Sequence, residues 1–161
     1  MFIKNRMLTS VSGTTDKRFI NITKKAVEYY LSLIVSPRIA RNIIIDVEYV
    51  KQMEDAVGYC EVSGYNTRNK PREFTIQIKK NESKRFMLMV LAHEVVHAKQ
   101  FAMDELDENL TVWKGKKVPA GVDYWDTPWE IEAHGREAGM YTRFCEKYEL
   151  KFPRHAIERD N

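Results

Sequence analysis

The segment 83–102, SKRFMLMVLAHEVVHAKQFA, constrains this chain more than any other. Positions 86–92 run apolar without a break, and the helical spacing leaves no clearly polar face. A helix that is apolar nearly all round must be covered on every side, so the rest of the chain has to wrap it. Ser83 or Asn81 is the expected N-cap, because a short polar side chain accepts a hydrogen bond from the first free amides. Inside this helix stand His93, Glu94 and His97. Burying three such groups costs free energy unless something satisfies them.

The covering elements follow from periodicity. Ile22, Ala26, Val27, Tyr30, Leu31 and Ile34 have helical spacing, and that helix ends near Pro37. The β-branched run IIIDVEYV (43–50) predicts a strand. VGYCEVSGY (57–65) and REFTIQIKK (72–80) predict two more, joined by the polar turn NTRNKP. In the last of these Phe74, Ile76 and Ile78 alternate with Thr75, Gln77 and Lys79, which gives one buried and one polar face. Residues 103–127 are irregular, with a short hairpin expected to turn at Lys114-Gly115. A final helix starts at TPWEIEAHGRE, continues through Met140, Tyr141, Phe144 and Tyr148, and is closed by Pro153. The order predicts an α+β fold, a small antiparallel or mixed sheet packed on the buried helix. The length of 161 residues fits one domain, 1–161, with room for a real core.

Composition narrows the functional classes. Lys and Arg number 26 and Asp and Glu 23, and the two signs are interspersed. That balance predicts neither a nucleic-acid nor a membrane partner. Cys60 and Cys145 are far apart and form no CxxC pair, so two thiols in a reducing compartment are expected. MFIKNRMLTS lacks the apolar run of a signal peptide, and 86–92 is too short to span a bilayer. The expected location is cytoplasmic.

Two histidines four apart lie one turn apart on one helix face. His93 and His97 can therefore address one metal ion, while Glu94, about 100° round the helix, leans over its side. A carboxylate there is placed to accept a proton from an attacking water, and zinc bound by two imidazoles remains a strong Lewis acid. The pattern predicts a zinc-dependent hydrolase with Glu94 as general base. A third protein ligand is needed, and AKQFAM after the motif does not contain it.

PWEIEAH offers Glu130, Glu132 and His134, and His155 lies in the charged tail. Thr127-Pro128-Trp129-Glu130 reads as a capping box, with Glu130 reaching back to the Thr127 amide. That leaves Glu132 as the first choice for the metal. Gly135 and Gly139 follow on its face, and they would permit close approach to the buried helix. Gln100, one turn past His97, is either a partner of the site or a residue beginning to meet solvent. Trp113, Tyr124, Trp125 and Trp129 crowd the segment between the two helices, either as walls of a cleft or as packing of a long loop. Lys114, Lys116 and Lys117 read as a solvated hairpin tip.

HEVVH followed by a second helix carrying Glu-Ala resembles the gluzincin group of zinc metallopeptidases, to which thermolysin-like enzymes belong. HEVVHAKQ with YWDTPWEIEA looks most like small zincin-like proteins of phages and bacteria. The resemblance covers two helices and the strand before them. It implies a zincin-like fold and zinc held by His93, His97 and Glu132. It further implies Glu94 as general base and a peptide or protein as substrate. One position departs: the thermolysin-type pattern has Asp four residues after the ligand Glu, and Arg136 stands here. That departure and the small size of the chain motivate an alternative, a non-catalytic binding or regulatory module on the same scaffold. A nucleic-acid or phage-assembly partner using the scattered basic residues is a third class.

Overall fold

The structure, a computed structural model, describes residues 9–151. The amino-terminal stretch through residue 8, Pro153 and His155 lie outside the described residues. Strand β1 (Thr9–Ser12) leads into helix α1 (Lys17–Ile34) and a single turn α2 (Pro37–Ala40). Strands β2 (Ile44–Val50), β3 (Gly58–Tyr65) and β4 (Pro71–Lys79) follow, then helix α3 (Lys84–Ala102). A two-stranded hairpin, β5 (Val112–Trp113) and β6 (Lys116–Lys117), and a 3-10 turn (Tyr124–Asp126) precede helix α4 (Pro128–Lys147). The fold is α+β, as the order of elements predicts.

The sheet is mixed, in the order β1-β2-β4-β3. β1 and β2 are parallel, β2 and β4 are parallel, and β3 returns antiparallel to β4. Sequence periodicity misses β1, because TSVS is short and half polar. What makes it a strand is its pairing with the distant Ile45–Glu48 stretch. In β2 and β4 alternate residues are buried: Ile45, Val47 and Tyr49 in one, Phe74, Ile76 and Ile78 in the other. Asp46, Glu48, Thr75 and Gln77 occupy the opposite face, so the sheet has one core side.

Helix α3 lies on that side. It packs against β3, β4, α1 and α4, which is the all-round cover its composition demands. Every residue from Val90 to Ala102 is buried. Ser83 is the N-cap, its hydroxyl accepting from the Phe86 amide at 3.1 Å. Tyr30 of α1 donates its hydroxyl to the Leu88 carbonyl at 3.0 Å, anchoring α3 just before the histidines. The hairpin turns where expected, with Lys114 and Gly115 both at positive φ (47° and 79°), the pattern of a tight primed turn. Lys116 and Lys117 are exposed, as a hairpin tip should be. Among the described residues no helix is long and apolar enough to cross a membrane. Both cysteines are free; Cys60 is buried and Cys145 half-buried.

Candidate metal centre

His93 and His97 leave α3 on one face and bring their Nε2 atoms within 3.0 Å of each other. Glu130 of α4 closes the triangle. Its carboxylate oxygens stand 3.1 Å from His93 Nε2 and 3.3 Å from His97 Nε2. Ligands of a tetrahedral zinc at about 2.0–2.1 Å stand about 3.3 Å apart. Two imidazole lone pairs and a carboxylate converging at these distances therefore fit a divalent metal. His134, one turn after Glu130, is a fourth donor: His93, Glu130 and His134 offer ligand atoms within 4.8 Å of one another. His134 Nε2 lies 3.7 Å from Glu130 Oε2.

Glu132, the first choice from sequence, is elsewhere. Its carboxylate accepts from Lys99 Nζ at 2.8 Å, and Lys99 also donates to Glu105 at 2.7 Å. Arg136 Nε flanks Glu132 at 3.8 Å. The capping-box argument fails for a local reason. Thr127 is the N-cap, but its side chain caps nothing in the helix. Its amide donates to the Tyr124 carbonyl at 3.2 Å and its hydroxyl to the same oxygen at 2.7 Å. With the Thr127 amide satisfied by the preceding 3-10 turn, Glu130 is free to face the histidines. Nor do Gly135 and Gly139 mediate the approach of α4, since a Cβ at either would meet nothing within 4 Å. The buried residues of α4 include Ala133, Met140 and Phe144 instead. Stepping back from those residues by helical spacing leads to Glu137 and Glu130, a signal in the sequence that the capping argument overrode.

The far nitrogens of both histidines are held. His93 Nδ1 is 2.8 Å from Glu137 Oε2. His97 Nδ1 is 2.8 Å from Gln100 Oε1. Gln100 is fully buried, not solvent-facing, and its amide donates to the Trp129 carbonyl at 3.0 Å. That bond fixes the orientation of the side chain. A carboxylate or amide on the remote imidazole nitrogen sets tautomer and ring orientation and raises ligand basicity. Glu137 thus supplies the partner that Arg136 seemed to leave missing.

Electrostatics follow from this packing. Burial favours neutral His93, yet hydrogen bonds to Glu130 and Glu137 outweigh it and raise its pKa to about 9. Burial likewise raises Glu130, but hydrogen bonds from His93 and His97 hold its carboxyl well below the usual carboxylate range. Glu94 is pushed up by burial, and His97 and His93 offset only part of that. Tyr124 is held neutral by burial and by its bond to Glu130 Oε2, 2.7 Å away.

Glu94 is buried and takes no part in the ion pairs that tie Glu130 and Glu137 to the imidazoles. Its carboxylate is set against β3. A Cβ at Gly58 would lie 2.5 Å from Glu94 Oε1 and 2.5 Å from Val90 Cγ1, so only glycine lets the strand come so close.

All these groups open into a cleft of about 800 Å³. Its floor is the face of α3 from Phe86 to Phe101. One wall is the chain from Val57 to Cys60, and the other carries Tyr124, Trp125, Trp129, His134 and Glu137. Of the aromatic residues between the helices, three therefore line the cleft, and Trp113 is half-buried outside it. Comparison of the chain with known protein families, curated proteins and solved structures finds no match.

Proposed function

We propose that this chain is a zinc-dependent peptidase with a zincin-type site, in which His93, His97 and Glu130 would hold the metal and Glu94 is the general base. The observation that carries the reading is the triangle of two Nε2 atoms and a carboxylate at 3.0–3.3 Å, beside a carboxylate left out of that network. A zinc ion there would supply Lewis acidity, polarising a carbonyl and lowering the pKa of an attacking water. The chain's own residues do the rest. Glu94 accepts the proton from water and delivers it to the leaving amine. Glu137 and Gln100 keep the imidazoles in the ligating tautomer. Tyr124, a neutral hydroxyl beside Glu130, suits the negative charge that grows on the carbonyl oxygen.

Two features favour a peptide as substrate. β3 pairs only with β4, so its other edge is unpaired among the described residues and its first residues line the cleft. An extended peptide can add to such an edge through main-chain hydrogen bonds. The cleft lining is mostly apolar, and its formal charges are Asp55, Glu94, Glu130 and Glu137 against Lys79 alone of the lysines and arginines. That balance disfavours phosphate backbones. The alternative of a non-catalytic module rests on Arg136 and on the small size of the chain, and Glu137 on His93 answers the first of these.

The test is paired. Purified protein should carry about one zinc per chain and cleave members of a peptide library. Glu94→Gln should keep the metal and lose about 10²–10⁴-fold in turnover. Metal loss in Glu94→Gln would make Glu94 a ligand. Equal cleavage by both proteins would end the mechanism, and zinc binding without cleavage by either would favour the binding module.

A further inference from the structure

We propose that His134 is a fourth, exchangeable metal ligand that closes the site in the resting protein. The inference rests on metal binding at His93, His97 and Glu130, and it does not depend on which bond is cleaved.

His134 follows Glu130 by four residues on α4, so the two side chains leave the same face one turn apart. Its ring lies 4.4 Å from that of His93, centroid to centroid. Nε2 is the atom turned toward the centre, 3.7 Å from Glu130 Oε2. That separation exceeds the ligand spacing of about 3.3 Å in a tetrahedral zinc site by a few tenths of an ångström, within reach of a small side-chain rotation.

The remote nitrogen of His134 faces the carboxylate that holds His93, at a longer distance. Nδ1 lies 3.4 Å from Glu137 Oε2, the oxygen that also holds His93 Nδ1. With its proton on Nδ1, directed at Glu137, the Nε2 lone pair of His134 is free to ligate.

The same nitrogen of His134 has a second partner within reach. Its Nε2 is 3.1 Å from the Tyr124 hydroxyl, which also bonds Glu130 Oε2 at 2.7 Å. The hydroxyl proton goes to Glu130, so in this contact His134 Nε2–H donates to the hydroxyl oxygen, and a shift of that proton to Nδ1 frees the Nε2 lone pair to ligate. Trp125 covers the outer face of the imidazole, 4.6 Å away and tilted by 32°. Trp125 itself is 65% exposed. The imidazole therefore has two partners within reach, the metal site and Tyr124, and an exposed aromatic ring rather than core packing over its outer face. A site with four protein ligands is closed, and one with three has room for water or substrate. Exchange of His134 between its two partners thus separates a stored form from a working form.

Cobalt(II) substitution reads the ligand count directly. Each imidazole bound through Nε2 leaves an Nδ1–H whose proton resonance is shifted far from the normal range and exchanges with solvent. The resting wild type should show three such signals, from His93, His97 and His134, and His134→Gln should show two. Azide should perturb the visible cobalt spectrum of His134→Gln at concentrations at least about tenfold lower than in the wild type, because its fourth position is free. Two signals in wild type, with azide binding equal in the two proteins, would overturn the role of His134 and leave the three-ligand site standing. No cobalt uptake at all would overturn the site itself, and this inference with it. If His134→Gln fails to fold, the wild-type signal count still decides.

Discussion

Glu132 Oε1 accepts a hydrogen bond from Lys99 Nζ at 2.8 Å, across the interface of α3 and α4. Lys99 is buried and is shared with Glu105. The carboxylate two residues beyond Glu130 therefore neutralises a buried cation and clamps the two helices that carry the candidate ligands. Glu132→Ala should retain zinc through dialysis against a mild chelator. It should lower stability in urea by about 1–3 kcal/mol, less than for a fully stranded buried charge because Glu105 still compensates Lys99. Glu130→Ala should empty the site. Zinc loss in Glu132→Ala with retention in Glu130→Ala would reverse the assignment.

The metal should compete with a proton. His93 in the metal-free protein has a pKa raised to about 9, so it is charged at pH 7, and ligation requires it neutral. Affinity should therefore climb with pH, about tenfold per unit for one proton released, and level off near pH 9. Calorimetric titration in two buffers of different ionisation enthalpy counts the protons released. A count of zero at pH 7 would contradict the geometry that ties His93 to Glu130 and Glu137.

The residues behind the ligands should matter nearly as much as the ligands. Glu137→Gln keeps the size of the side chain and removes the charge on His93 Nδ1. Gln100→Leu removes both the bond to His97 Nδ1 and the one to the Trp129 carbonyl. Each should weaken metal binding about 10–100-fold. Gln100→Leu should also cost about 1–3 kcal/mol, because it leaves buried polar atoms unpaired. Chelator competition and urea titration separate the two effects. Unchanged metal affinity in both variants would mean that the imidazoles are oriented by packing alone.

Much of this site is legible in the chain, and the illegible part has a physical reason. The all-apolar character of 86–92 predicts the central helix, and Ser83 caps it as expected. Alternation at Phe74, Ile76 and Ile78 predicts the buried sheet face. These are properties of contiguous residues. The choice between Glu130 and Glu132 turns on the Thr127 amide, which is taken by Tyr124 in a turn that local propensity does not reveal. Gln100 reads either as a partner of the site or as the start of a solvated helix end, and its bond to the Trp129 carbonyl of α4 goes with the first. β1 exists through a parallel pairing with distant β2. The last two depend on contacts between segments far apart in sequence, and the first on a 3-10 turn that periodicity does not mark.

Gly58 offers the sharpest test of how Glu94, the proposed base, is held. Its backbone pairs with Ile78 in β4, so the strand cannot move away without breaking the sheet. A methyl group at this position would lie 2.5 Å from both Glu94 Oε1 and Val90 Cγ1, closer than carbon and oxygen approach. Val90 is a β-branched residue on a helix and is stiff about χ1, whereas the Glu94 carboxylate ends a flexible side chain. The carboxylate yields on its side, and the Val90 contact is relieved only by a shift of the packing of α3 on β3, so some stability is lost as well. Gly58→Ala should therefore leave zinc content unchanged, since none of the ligands touches this wall. Turnover should fall by about 10²-fold, the cost of misplacing a catalytic group by about 1 Å. KM should change far less than kcat, because the displaced group acts on water and not on the bound chain. Zinc analysis beside steady-state kinetics on one cleaved peptide checks the split. Wild-type kcat in Gly58→Ala would show that Glu94 does not need the β3 wall, and loss of zinc would show that the strand supports the ligands as well.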